Sequence, residues 1–245
     1  MKPNASSKNV SYRLLPFGAS APPPAQDLAQ LHAVILPTSP ISLLGNRFME
    51  RFYYATLPRE KLICGAVAYV DDEPAGFVAA THDSAGFMRS ALRRWWPNLL
   101  WVIGTSVLIS PKTIGAVWDA WRAMTGRRPT EGGTPDGEIL SLGVISAYRE
   151  LRFIRQTGIR ISTDLLENAV AQLRVRGTRK IRSLVEADNL LGKAFLLGLG
   201  WTPSHTQIPG RRISSVEFVW RDKEPLKSGG HSGGCTESGP GGKQQ

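Results

Sequence analysis

The sequence predicts an α/β (α+β) chain, a mixed sheet flanked by helices. Three observations predict it. Two β-prone runs, Leu62 to Val70 and Ala75 to Thr81, are joined by Asp71-Asp72-Glu73-Pro74, which is the spacing and turn chemistry of an antiparallel hairpin. From Glu138 to Ala187 the chain reads apolar strand, basic loop, amphipathic helix and second strand, the pattern of a crossover between parallel strands. Ahead of both lie two stretches of helical spacing. At 245 residues and 42% hydrophobic content, the chain has ample apolar material for one buried core.

Taken in order, residues 1–26 hold Pro22-Pro23-Pro24 and little periodicity and read as a flexible lead-in, although Val10 to Leu15 could add an edge strand. One domain is expected over 27–222. It opens with a helix from Asp27 to Leu36, with Leu28, Leu31 and Ile35 on one stripe and Pro37 ending it. A second helix is predicted from Leu43 to Ala55 through Leu44, Phe48, Phe52 and Tyr53, with Tyr53 and Tyr54 read as packing residues. The hairpin follows. His82-Asp83 at its end would suit proton transfer, but neighbours on a strand face opposite ways, which favours a solvated strand end.

Residues 84–137 read as a helical insertion and connector between the third and fourth strands. Trp95 to Ile109 is too short and too interrupted for a bilayer span. Arg89, Arg93 and Arg94 beside aromatic residues fit an interfacial helix, so peripheral membrane contact through 87–109 stays open beside a packed insertion and an acceptor-site cover. Glu138 to Ile145 is apolar on both faces, as a strand covered on two sides should be. Ala147 to Ile159 reads as an exposed loop. The following helix carries Leu165, Leu166, Ala169, Val170 and Leu173 on one stripe, with Ser162, Thr163 and Asp164 signalling its start and Gly177 its end. The tail, 223–245, is rich in glycine and serine and is expected to be disordered.

The formal net charge is +10, and +6 of it lies between Ser146 and Arg182. A basic chain favours an anionic partner: a phosphorylated cofactor, nucleic acid or a membrane surface. Because the charge gathers at one loop and helix, a phosphorylated cofactor accounts for it and nucleic acid is disfavoured. The two cysteines, Cys64 and Cys235, make no disulfide framework and no metal-ligand spacing, so no metal site is expected and a reduced, cytoplasmic setting is the simplest. The first twenty residues lack the apolar core of a secretory signal. The loop entering the basic helix suits phosphate for physical reasons. Unpaired amides at a helix start point outward, the dipole favours anions there, Gly158 can expose further amides, and Arg155 and Arg160 add fixed charge.

The segments Leu140-Ser-Leu-Gly-Val144, Tyr148-Arg149, Arg155-Gln-Thr-Gly158-Ile-Arg160, Leu165-Leu166 and Val185-Glu-Ala-Asp-Asn189 through Leu199-Gly-Trp201 together resemble the GNAT acyltransferases. The hairpin Val67 to Phe77 resembles that family's second and third strands. The resemblance runs from about Asp27 to Arg221, with 84–137 unmatched. It implies a GNAT-like mixed, bent central sheet and acetyl-CoA as co-substrate. The strand residues Leu142, Gly143 and Val144 would hold the pantetheine arm. The loop segment Arg155, Gln156, Thr157, Gly158, Arg160, Ser162 and Thr163 would hold the pyrophosphate, and Asn189 would reach the cofactor. Its chemistry is acyl transfer from a CoA thioester to an amine acceptor.

Three features depart from the family pattern. Arg160 stands where Gly or Ala is usual, and Leu165-Leu166 lies two residues late, so the loop is assigned as a segment. Leu196 stands where many members place a Tyr, which leaves the usual general acid missing. Glu138 is the candidate base, against a reading as a strand-end charge in water. Direct transfer from thioester to amine by an N-acyltransferase is the expected function; a GNAT-shaped acyl-CoA-binding module without turnover is the second. The acceptor and the oligomeric state are not legible in the sequence.

Overall fold

The computed structural model describes residues 10–39, 41–84, 86–87, 90, 93–94, 136–207 and 215–222. The insertion expected over 84–137, with its membrane-facing segment 87–109, and the tail 223–245 lie almost wholly outside them. Among the described residues the chain forms a seven-stranded sheet in the order β1-β2-β3-β4-β5-β7-β6. Its strands are β1 (Tyr12–Phe17), β2 (Cys64–Val70), β3 (Glu73–Thr81), β4 (Gly137–Val144), β5 (Lys180–Glu186), β6 (Thr202–Gln207) and β7 (Ser215–Arg221). All neighbours are antiparallel except β4 and β5, which run parallel, so the sheet is mixed as the sequence predicts.

The β2–β3 hairpin closes at Val70↔Glu73 around Asp71 and Asp72, whose φ angles are 51° and 63°. A two-residue turn with both φ positive matches the right-handed twist of its strands, and aspartate tolerates that region better than most residues. The turn is therefore tighter than the four residues predicted, and Pro74 falls inside β3, opposite Tyr69 and next to a bulge at Ala75. A bulge is where a strand can accept a residue with no N–H. Strand β1 pairs along β2 from Tyr12↔Val70 to Phe17↔Gly65, so the sheet's edge begins within the stretch read as lead-in.

Two helical layers cover the sheet. On one face lie α1 (Ala25–Ile35) and a stretch of Asn46–Phe48 continuing through a π-helical turn, Met49–Tyr53, together called α2, followed by α3 (Thr56–Arg59). Their Leu28, Leu31, Phe48, Phe52, Tyr53, Tyr54 and Leu57 pack with Val67, Tyr69 and Phe77 of the sheet. The continuous helix predicted from Leu43 is a correction. A 3₁₀ turn, Ser42–Leu44, comes first and Gly45 at φ 90° breaks the run, a conformation that glycine adopts without steric cost.

On the opposite face the crossover helix α6 (Ile161–Val175) buries Ile161, Leu165, Leu166, Ala169 and Leu173 against β2, β3 and β4. The sheet meets it with small side chains, Cys64, Ala66, Ala68, Val78 and Ala80, which let a helix lie close. Each fully buried leucine there contributes about 1.5–3 kcal/mol. The segment predicted as a loop, Ala147 to Ile159, is also a correction. It forms α4 (Ser146–Arg149) and α5 (Leu151–Thr157), because its residues are good helix formers and Phe153 packs edge-on against Tyr148 at 5.2 Å. A last helix, α7 (Leu190–Gly198), follows β5, and its buried Leu196 joins the α6-side core.

Candidate active site

The parallel pair β4 and β5 is the feature that makes a site. Its register runs Gly137↔Ile181, Glu138↔Arg182, Ile139↔Ser183 and stops, although β4 continues to Val144 and β5 to Glu186. The two strands part at their carboxyl ends. From Leu140 onward β4 keeps β3 as its only strand neighbour among the described residues, so the side facing β5 offers backbone N–H and C=O groups to anything extended that lies along it. Leu142, Gly143 and Val144 occupy that length. Bulges at Leu140 of β4, opposite Ala79 and Ala80, and at Ala75 of β3 add local twist. Gly143 is forced by a close approach: an added Cβ would lie 2.6 Å from Ile35 Cγ2 of α1.

A crossover helix returns antiparallel to its strands, so the start of α6 sits at the same end as the opening. Helix α5 ends at Gly158, left-handed at φ 73° with open space around it. The Ile159 amide is taken by Thr157 Oγ1 at 3.2 Å, and the Arg160 carbonyl accepts from the Thr163 and Asp164 amides at 2.9 and 3.0 Å. This leaves the first amides of α6, those of Ile161 and Ser162, with no acceptor inside the helix. Ser162 and Thr163 do not cap it, contrary to the sequence reading. The N-cap is Arg160, without a side-chain cap, because the helix starts two residues too early for Ser162 to serve. The Asp164 carboxylate instead accepts from the Tyr12 phenol at 2.8 Å, tying β1 to the helix. Arg155, Gln156 and Arg160 are exposed.

Asn189 follows β5 at this same end. Its Oδ1 accepts from Gly192 N at 2.8 Å and so caps α7, which leaves its amide nitrogen for other partners. Leu196 is 3% exposed within the α6-side core and supplies no proton donor.

At the closed end of the opening stands Glu138. It is buried, not a strand-end charge in water. Its Oε2 accepts from Arg182 Nη2 at 2.8 Å and from Ser84 Oγ at 3.1 Å. Arg182 also faces Glu217 of β7, with 3.8 Å between Nη1 and Oε1. Direct pairing of Glu138 with Arg182, and of Arg182 with Val219 two residues from Glu217, puts all three on the sheet face turned toward α1 and α2. On that face too lies a buried relay around His32. Tyr54 Oη contacts its Nδ1 at 2.5 Å and Ser39 Oγ its Nε2 at 2.9 Å, and burial lowers the imidazole pKa from 6.5 to about 4.

Sequence reading passed over Arg182, Glu217 and His32. The available signal was a charge inside an apolar β-run: Arg182 after Ile181, and Glu217 between Val216 and Phe218. The pair His82-Asp83 is not part of the site. His82 lies 3.4 Å from Arg176 Nη1, and Asp83 Oδ1 accepts from Gly86 N in a turn. Among the described residues, no group of three or more His, Cys, Asp or Glu could hold a metal ion, and no helix is long and apolar enough to cross a membrane.

No family model and no curated protein matches the chain. Among solved structures it is similar to Arabidopsis thaliana NAA60 in complex with acetyl-CoA, at 16% identity and a TM-score of 0.48 over 87% of this chain and 98% of that one. It is also similar to the NatC complex bound to Gag peptide and CoA, at 13% identity and 0.47 over 87% and 99%. The GNAT domain of S. lividans PAT gives 15% and 0.46 over 85% and 90%.

Proposed function

We propose that the chain is a GNAT-type N-acyltransferase that uses acetyl-CoA and moves its acetyl group directly to an amine. The observation that carries this reading is the separation of β4 from β5 after Ile139↔Ser183, with the bare start of α6 at the same end. The chain's own groups fit the cofactor. The free side of β4 at Leu142, Gly143 and Val144 suits an arm with amide groups. Gly158, Arg160, Ile161 and Ser162 offer amides and a helix dipole to a pyrophosphate, and Arg155 adds charge. Bound there, acetyl-CoA supplies the acyl group as a thioester.

The residues' part is to bind, orient and move protons. An amine must lose a proton before it can act as a nucleophile, and Glu138 at the closed end is the candidate base. Arg182 and Ser84 fix its carboxylate in one orientation. Much of the acceleration would come from holding acyl carbon and amine together. Titrating acetyl-CoA into the full chain by calorimetry tests this. Binding that weakens when Arg155 and Arg160 are both changed to Ala supports it; no binding by the wild type sinks it.

A specific observation favours a second reading. The position where the resemblance places a tyrosine is the buried Leu196, so α7 offers no acid for the departing thiolate. A module that holds acyl-CoA without turnover would need none. Thiol release with a panel of amines separates the two: acetyl-CoA binding with no amine-dependent release assigns the chain to the second.

A further inference from the structure

A string of hydrogen bonds runs from the core to the surface on the α1 side of the sheet. Tyr54 Oη lies 2.5 Å from His32 Nδ1, and His32 Nε2 lies 2.9 Å from Ser39 Oγ. Ser39 Oγ donates to Ser42 Oγ at 3.0 Å, and Ser42 Oγ donates to the Leu36 carbonyl at 2.7 Å. With the Tyr54 hydroxyl donating to Nδ1 and Nε2–H donating to Ser39, every donor in the string points outward. His32 and Tyr54 are fully buried, whereas Ser39 and Ser42 are partly exposed. Burial holds both inner groups neutral, lowering the imidazole pKa and raising that of the phenol. The string therefore carries no charge at rest and offers an acceptor and a donor at each link, as a proton shuttle requires.

Its inner end meets β4. The His32 ring is 5.2 Å from that of Phe77, which pairs with Gly143, and Ile35, one turn along α1 from His32, is what a Cβ at Gly143 would strike. Ser141 pairs with Ala79 of the α1-side core and so shares that face. Its Oγ is buried beside the Tyr54 phenol and makes no hydrogen bond of its own. Along β4, Ser141 stands past the last pairing with β5, between Glu138 at the closed end and the free length at residues 142–144. An acyl arm laid on that length from the mouth inward brings its thioester to Ser141 before it reaches Glu138.

We propose that Ser141, Tyr54, His32 and Ser39 form the proton exit of the acyl-transfer site. The proposal rests on the acyltransferase reading. An alkylammonium that becomes an amide sheds two protons from its nitrogen. Glu138 takes the first, which frees the lone pair for attack. The second is shed as the nitrogen–carbon bond forms and the carbon–sulfur bond breaks, the thiolate leaving with the bonding pair. Ser141 Oγ accepts that proton and gives its own to Tyr54 Oη, Tyr54 gives its own to His32 Nδ1, and His32 releases the one on Nε2 to Ser39 and so to water. One proton reaches solvent, and each group in the string ends with as many as it began. Ser141 is the group that touches substrate; Tyr54 and His32 act through it as positioning residues.

The experiment follows thiol release from acetyl-CoA by the full chain with a panel of primary amines, in H2O and in D2O, for wild type, Tyr54→Phe and His32→Gln. Calorimetry with acetyl-CoA and urea unfolding at neutral pH accompany it. His32→Gln guards against a merely structural loss, since its amide still donates and accepts but cannot hand a proton from one atom to the other. In both variants kcat should fall by about 100-fold. Acetyl-CoA affinity should be unchanged, and the solvent deuterium effect on kcat should be larger than in wild type because the hindered proton step now limits turnover. Turnover at the wild-type rate in either variant, or a loss that tracks stability or acetyl-CoA affinity, overturns the proposal and leaves the string a structural network, with the acyltransferase reading intact. If wild type binds acetyl-CoA but releases no thiol with any amine, that reading falls and takes the proton exit with it.

Discussion

His32 should make the protein acid-labile in a way that one substitution removes. In the native state its ring is 1% exposed, and its hydrogen bonds suit a neutral imidazole. The Tyr54 hydroxyl donates to Nδ1, and Nε2–H donates to Ser39 Oγ, which passes the chain through Ser42 Oγ to the Leu36 carbonyl. Protonating Nδ1 would remove the acceptor that Tyr54 needs and place a charge in an apolar core. Burial therefore lowers the pKa from 6.5 to about 4. Between those two values the unfolded chain binds the proton and the native protein does not, so unfolding takes up a proton. Stability from this group is intact above pH 6.5 and is lost as pH falls toward 4. At ~1.4 kcal/mol per pH unit the full loss is about 3 kcal/mol, of which about 2 kcal/mol falls between pH 7 and pH 5. Equilibrium urea unfolding of wild type and His32→Gln at pH 7, 6 and 5 measures it. The variant keeps an amide that can donate and accept but cannot titrate, so its stability should drop by about 2 kcal/mol less over that interval. Parallel losses in the two proteins would refute the buried neutral imidazole.

Other perturbations test other parts of the structure. Arg182→Met removes the guanidinium that the buried carboxylates of Glu138 and Glu217 face and should cost roughly 3–5 kcal/mol in urea unfolding at neutral pH. Gly143→Ala forces a Cβ to within 2.6 Å of Ile35 Cγ2 and should lower stability by about 1–3 kcal/mol, most of it recovered when Ile35 is shortened to Ala in the same protein. Gly158→Ala places a Cβ in a left-handed conformation and should cost about 1 kcal/mol of stability, while acetyl-CoA affinity by calorimetry falls by more than that strain accounts for.

What was legible in the sequence was what local chemistry decides. The β2–β3 hairpin declares itself through two β-prone runs separated by a short Asp-rich turn, and α6 through the spacing of Leu165, Leu166, Ala169 and Leu173. Ala147 to Ile159 was harder because its charges mark solvent exposure, which a short surface helix shares with a loop. The candidate site divides in the same way. Its anion-seeking end is contiguous in sequence, from Arg155 to Thr163, and could be read as a segment. Its closed end is assembled from Glu138, Arg182 and Glu217, residues of three strands that meet only through register. Nothing within ten residues of Glu217 points to Glu138. A strand-end glutamate in water and a buried ion-paired one have the same local sequence, and the difference lies in what packs above them.

The parting of β4 from β5 also divides the molecule as a folding unit. On the α6 side apolar packing runs unbroken across the seam, from Ile139 through Ile181, Val185 and Phe218. On the other side the apolar cluster ends at β4, and the bond across the seam is ionic, Glu138 to Arg182 to Glu217. The half made of β5, β6, β7 and α7 is thus fastened by grease on one face and by charge on the other. In such a unit the ionic clasp governs how independently the small half can open, and it gives partial unfolding a place to begin that apolar packing does not hold shut.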